Sequence, residues 1–205
     1  HIPVGYFKTM HNPSVDWCYR TEPDPGLNGR RLDWPRGKVM GGSSSLNGLL
    51  YVRGQPQDYD RWAQMGFAGW SWQDVLPLFK RAENQERGAD DFHGAGGPLN
   101  VSDMRLSRPI CDAWVAAAQA AGYPFNPDYN GATQEGVGYF QLTTRKGRRC
   151  SAAVAYIHPV RKRPNLRIIT HAAGSRGVLQ RSCAFAQEPL DAGRIGSVDR
   201  RIDAC

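Results

Sequence analysis

Arg36-Gly37-Lys38-Val39-Met40-Gly41-Gly42-Ser43-Ser44-Ser45-Leu46-Asn47-Gly48-Leu49-Leu50-Tyr51-Val52-Arg53-Gly54 is the stretch on which the reading of this chain turns. Two adjacent glycines let the backbone come close to a ligand, and three serines add hydroxyls to the amides presented there. A helix starting at Leu46 would aim its free N-terminal amides at the same place and favour an anion such as a pyrophosphate. A flexible Gly/Ser linker is the alternative, but linkers are not normally bracketed by Lys38-Val39-Met40 and Leu49-Leu50-Tyr51-Val52. Neither G-x-G-x-x-G nor a P-loop occurs, so no complete nucleotide-binding βαβ unit is expected within the chain.

Before this stretch, Pro3, Pro13, Pro23, Pro25 and Pro35 rule out any long helix, and residues 17–34 read as a hairpin or long loop around Asp24-Pro25-Gly26-Leu27-Asn28-Gly29. After it, helical spacing begins. A short helix is expected over residues 58–65. Ser71 and Asp74 form a capping box for a second helix, with Val75, Leu76, Leu78 and Phe79 as its apolar face and Pro77 as a kink. Ser107 is read as the cap of a third helix ended by Gly122. A further helix is expected over residues 150–158, stopped by Pro159. Turn-then-strand units are expected at residues 94–101 and 136–144, and Leu166-Arg167-Ile168-Ile169-Thr170 is the best strand candidate. Helices alternating with strands give an α/β or mixed α+β class.

The 205 residues are 40% hydrophobic and 22% charged, which excludes collagen, coiled coil and wholesale disorder. The net charge of +7 arises largely in residues 145–167, where eight Lys/Arg meet no Asp or Glu. That stretch raises a nucleic-acid-binding module as an alternative, but no zinc, RNP-like or helix-turn-helix pattern supports it, and no nucleic acid is expected. Cys18, Cys111, Cys150, Cys183 and Cys205 are odd in number and widely spaced, as free thiols in a reducing compartment would be. No metal is expected. No apolar run reaches the length of a membrane span. A cytoplasmic place is expected, with peripheral membrane association left open.

The run over residues 37–60 closely resembles the first signature of the glucose-methanol-choline (GMC) flavin oxidoreductases, with Gly41, Gly42, Ser43, Ser44, Leu46, Asn47, Tyr51, Gly54 and Asp60 in its places and Met40 a departure. Gly69-Trp70-Ser71-Trp72, Phe92-His93-Gly94, Gly97-Pro98-Leu99, Gly136-Val137-Gly138-Tyr139 and Arg148-Arg149-Cys150-Ser151-Ala152-Ala153 resemble its choline and alcohol dehydrogenase branch. The resemblance covers roughly residues 3–171. It implies a partial FAD-binding domain over 1–90, part of the substrate-binding domain over 91–146, a return to the FAD-binding domain over 147–172, and an irregular tail over 173–205.

The resemblance also implies FAD as cofactor, with Arg36, Val39, Gly41, Gly42, Ser43, Asn47, Gly48, Leu49 and Leu50 contacting it. Some members attach FAD through a His at the position of Leu46, so non-covalent binding is expected. The family oxidises a small-molecule alcohol to the aldehyde by hydride transfer to the flavin, with a C-terminal His taking the hydroxyl proton. That His, its partner and the dinucleotide fingerprint lie in family regions outside these residues. No catalytic residue is therefore assigned, and the chain alone is expected to be inactive. His93 reads as a hydrogen-bonding loop residue. Tyr123, Phe125, Tyr129, Tyr139 and Phe140 are candidates for a substrate cavity or for ordinary core. The resemblance leaves the electron acceptor unnamed, and a non-catalytic GMC-like binding protein stays open as an alternative.

After Ile168-Ile169-Thr170-His171-Ala172 the resemblance predicts a strand with alternating valines, whereas the chain continues Ala173-Gly174-Ser175-Arg176-Gly177 and loses periodicity. A disordered tail and a slip of reading frame near Ala173 both account for this, and the slip is preferred. The encoding DNA decides between them.

Overall fold

The structure, a computed structural model, describes residues 2–171 and the backbone of two further strands at residues 174–179 and 185–189. Proline sets the course of the N-terminal part. A 3-10 helix occupies Pro3–Lys8, and β1 (Tyr19–Arg20) pairs antiparallel with β2 (Asp33–Trp34). Between them Pro25–Leu27 form a 3-10 turn whose first amides are met by the Asp24 carboxylate, an oxygen of which accepts from the Gly26 amide at 2.8 Å. The hairpin expected from the sequence is thus present.

Helix α1 spans Pro56–Gln64, with Pro56 at the first helical position where a missing amide costs nothing. Helix α2 spans Trp72–Ala82 and has the expected capping box: Ser71 Oγ accepts from the Asp74 amide, and Asp74 Oδ2 accepts from the Ser71 amide. The helix continues through Pro77. The two helices meet through aromatic rings, with Tyr59 against Trp62, Trp72 and Phe79, and the Asp60 carboxylate accepts from the Trp72 amide at 2.8 Å. Of the expected apolar face only Val75 is buried; Leu78 is 52% exposed. No element covers that side among the described residues.

β3 (Glu83–Gln85) follows α2 directly and pairs in parallel with β4 (Leu99–Val101). Helix α3 then spans Pro109–Ala120. Its N-cap is Arg108, without a side-chain cap, so Ser107 does not cap it as expected. Its C-terminal end is as expected: Gly122 takes φ +96°, and the Tyr123 amide reaches back to the Ala118 carbonyl at 3.1 Å, a Schellman closure. No residue of α3 is buried, with Ile110 and Trp114 at 74% and 66% exposure.

The strand unit expected over residues 136–144 is mostly single bridges, Leu50 to Leu142, Ser102 to Leu142 and Phe125 to Val137. It ends in β5 (Thr144–Arg145), which pairs antiparallel with β6 (Arg148–Arg149). The helix expected over 150–158 is a single π-helical turn at Ala153–Ile157. Residues 166–170 form no strand. A β-branched run becomes a strand only when a neighbour takes up its amides and carbonyls, and none does so among the described residues. β7 (Gly174–Leu179) and β8 (Phe185–Pro189) form an antiparallel pair where an irregular course was expected. The rest of 173–205, with Cys183, Cys205 and the position of the expected frame change, lies outside the described residues.

Two compact units result, His1–Lys162 and Arg163–Cys205. The expected divisions at 90 and 146 fall inside the first, where residues 49–53 are bonded across to 130–143: Thr143 N to Leu49 O at 2.9 Å, Tyr51 N to Gln141 O at 2.9 Å, and Asn130 Nδ2 to Tyr51 O at 3.0 Å. Its interior is polar as much as apolar. Leu46, Leu49, Val75, Val101 and Val137 are buried beside Asp16, Arg53, Glu83, Gln85, His93, Gln141 and Arg149. No helix is long and apolar enough to cross a membrane.

Candidate functional site

The glycine/serine loop is held from below by a carboxylate. Asp16, 1% exposed, accepts from the amides of Cys18, Arg36 and His11 at 3.0, 2.9 and 2.8 Å, and these bonds hold its carboxyl below the usual carboxylate range. With the Lys38 amide on the Val15 carbonyl at 2.8 Å, they fix residues 36–38 at the entrance to the loop. Gly37 must lack a side chain there, since a Cβ would sit 2.2 Å from the Gly42 carbonyl oxygen.

From this entrance the chain turns at Gly41, in the left-handed region at φ +90°, into a 3-10 turn at Gly42–Ser45. No helix begins at Leu46, contrary to expectation: Leu46 ends the 3-10 turn, and its side chain is buried. The reason is tertiary. Ser44 Oγ accepts from the Ala152 amide at 2.8 Å, Gly41 lies against Ala153, and Arg149 Nη1 donates to the Ser44 carbonyl at 3.1 Å and to Asn47 Oδ1 at 2.9 Å. Asn47 Oδ1 also accepts from the Leu49 amide at 3.1 Å, stabilising Leu49 at φ +71°. The chain thus follows an irregular contour over residues 41–50 in place of a helix N-terminus.

Of the nine residues expected to touch a cofactor, Gly41, Gly42, Ser43, Asn47, Gly48 and Leu49 belong to this contour. Its outer side is open: a Cβ on Gly42 or Gly48 would meet nothing within 4 Å. Among the described residues Asn47 Nδ2 and the Gly48 and Leu50 amides make no hydrogen bond. Val39 and Leu50 are exposed beside them, whereas Leu49 is 2% exposed and points inward. Arg36 is directed elsewhere, its guanidinium donating to the Pro35 carbonyl at 2.8 Å and lying 4.9 Å over the Trp34 ring. Small residues, unengaged donors and an exposed rim are what a loop needs to receive a planar, hydrogen-bonding cofactor.

Behind the loop lies a charged network that the sequence did not announce. Arg53 Nη2 donates to Glu83 Oε2 at 2.7 Å with both side chains almost fully buried, and Arg53 Nη1 donates to the Phe92 carbonyl at 2.7 Å. His93 bridges Asp128, 2.8 Å from Nε2, and Glu83, 3.2 Å from Nδ1. Asp128 first and Glu83 second push the imidazole up to about 9. His93 is therefore the hydrogen-bonding residue expected of it. Nothing local marks Glu83 or Asp128, because their partners are distant in sequence.

The expected aromatic residues separate. Phe125, Tyr139 and Phe140 border a cavity of about 220 Å³ with the Arg87–Asp103 pair, and Tyr129 stacks on Phe140 with centroids 4.6 Å apart. Tyr139 donates to Asp112, which pushes its hydroxyl up to about 12. Tyr123 is 60% exposed and outside the cavity.

Comparison with known proteins gives one answer. The sequence model of the family described as GMC oxidoreductase matches residues 6–198, a span that crosses Ala173. The chain is 51% identical over 168 residues to the oxygen-dependent choline dehydrogenase of Sinorhizobium fredii, covering 82% of this chain and 31% of that protein. Among solved structures it is similar to pyridoxine 4-oxidase from Mesorbium loti, with a TM-score of 0.80 and 36% identity over 87% of this chain and 35% of that one. It is also similar to an FAD-dependent oxidoreductase from Chaetomium thermophilum, with a TM-score of 0.73 and 27% identity over 85% of this chain and 33% of that one. The chain thus spans about a third of the length of these relatives.

Proposed function

The chain belongs to the GMC oxidoreductase family, and from that premise we propose that it serves the FAD-dependent oxidation of a primary alcohol, choline-like or other, to the aldehyde. The observation that carries this reading is the open contour of residues 41–50, with Asn47 Nδ2 and the Gly48 and Leu50 amides unengaged. The residues fit the cofactor: the glycines leave room, and the donors match a ring edge rich in acceptors. FAD, when bound, supplies the hydride acceptor.

The residues themselves do the rest. Gly42 and Gly48 admit a planar group without a side-chain clash. Asn47 donates from Nδ2, since its Oδ1 is already taken by Leu49 and Arg149. Leu46, buried and without a nucleophilic atom, leaves the cofactor held non-covalently. His93 takes no proton from substrate, because Asp128 and Glu83 already engage both its ring nitrogens. The cavity beside Phe125, Tyr139 and Phe140 is the proposed place for the apolar part of the alcohol. A cytoplasmic location and an absence of nucleic-acid contacts belong to the same reading; within the basic stretch Arg149 is buried and serves the loop.

Titrating the purified chain with FAD, followed by quenching of flavin fluorescence, tests the reading. Saturable binding that Gly48→Trp weakens at least about tenfold while far-UV circular dichroism is unchanged supports the reading. Binding indifferent to Gly48→Trp would remove the loop from the cofactor site.

A further inference from the structure

Two arginines of this chain are buried to a similar degree and treated differently. Arg53 has Glu83 at 2.7 Å. Arg149, 5% exposed, has no carboxylate within ion-pairing distance among the described residues, and burial pulls its guanidinium down from its ordinary value. A buried cation without a counter-charge is costly, so its hydrogen bonds indicate what the fold gains by keeping it.

Both bonds of Nη1 go to the loop, to the Ser44 carbonyl at 3.1 Å and to Asn47 Oδ1 at 2.9 Å. An asparagine amide has an accepting end and a donating end of nearly equal shape. Arg149 presents only donors, so the Asn47 orientation with Oδ1 inward is favoured, and the flipped one would set donor against donor. The Leu49 amide, also a donor on Oδ1, acts in the same sense at 3.1 Å. A charged donor makes this bond stronger than a neutral one would.

We propose that Arg149 is a positioning residue for the cofactor: by holding Asn47 Oδ1 inward it keeps Nδ2 free to donate to the flavin. The proposal rests on the reading of residues 41–50 as the flavin-contacting loop. Arg149 does not itself need to touch the cofactor. Its cost is met at the loop, where it joins Ser44, Asn47 and, through Asn47, the left-handed Leu49.

The experiment is a double-mutant cycle on FAD binding, with the visible spectrum of the bound flavin recorded alongside. The proteins are the unaltered chain, Asn47→Ala, Arg149→Met, their combination, Arg149→Lys, and Arg148→Met as the exposed neighbour on the same hairpin. Each single change at 47 or 149 is expected to weaken binding about tenfold and to shift the flavin spectrum in the same direction. The combination is expected to be no weaker than the weaker single variant, because residues acting through one bond are not additive. Arg149→Lys recovers part of the loss, and Arg148→Met has no effect. A merely structural arginine gives additive losses and an unchanged spectrum; that outcome, or unaltered binding by Arg149→Met, overturns the proposal. If Arg149→Met does not fold, the uncharged Arg149→Gln takes its place in the cycle. Failure of the unaltered chain to bind FAD overturns the cofactor reading and this proposal with it, and is recognised from the first titration alone.

Discussion

Glu83 illustrates how one side chain can organise a region at the scale of the residue. Its two oxygens take Arg53 Nη2, the Gly94 amide and His93 Nδ1 at 0% side-chain exposure, joining the strand after α2 to the segment that leaves the loop. Removing one partner leaves the other charge buried and unpaired, so Glu83→Ala is expected to destabilise the chain by about 3–5 kcal/mol in urea denaturation. A loss below about 1 kcal/mol would show the pair to be idle. His93 adds a pH dependence. Its folded value, near 9, lies above the ordinary 6.5, so its contribution is complete below about pH 6.5 and is lost as pH rises through 9. Stability measured across pH 6 to 10 is expected to fall over that window, and His93→Gln to flatten the fall. Arg53, Glu83 and His93 stand in the sequence as isolated letters. Only Arg53 and His93 fell within recognised motifs, and their pairing spans 30 and 10 residues, so no local pattern signals it.

At the scale of the element, local rules succeeded where the bonding partners are local. Ser71 and Asp74 lie three residues apart and form the capping box their spacing implies, whereas Ser107 has the right side chain and caps nothing because Pro109 starts the helix after Arg108. Ser71→Ala is expected to cost about 1 kcal/mol and Ser107→Ala less than about 0.5 kcal/mol in thermal or urea unfolding. Equal effects would contradict the assigned caps. Helix α3 carries apolar residues at helical spacing yet buries none of them. Trp114→Ala is accordingly expected to change stability by less than about 1 kcal/mol in this chain, against the 3–5 kcal/mol of a core tryptophan. The loop offers the reverse case. Its glycines were legible, but the helix expected from Leu46 is absent: Leu49 takes φ +71° with its amide on Asn47 Oδ1, and Arg149 and Ala152, a hundred positions away, hold Asn47 and Ser44 in that course.

On the scale of the whole molecule, the chain spans about a third of its relatives and exposes large apolar side chains such as Leu106 at 71% and Ile110 at 74%. Sequence alone determined the family and the mixed α/β class and marked the loop proposed to contact the cofactor, since these reside in short contiguous patterns of glycine, serine and asparagine whose conformational and hydrogen-bonding properties are local. It also placed the hairpin, α1 and α2, whose turns and caps are made within a few residues. Tertiary structure decided which donors of the loop remain free, that His93 is a buried link between two carboxylates, and that Arg149 stands behind Asn47. Those outcomes depend on groups brought together from 10 to 108 positions apart. A hydrogen bond or ion pair depends on distance in space, and the linear order of residues specifies that distance only through the complete fold.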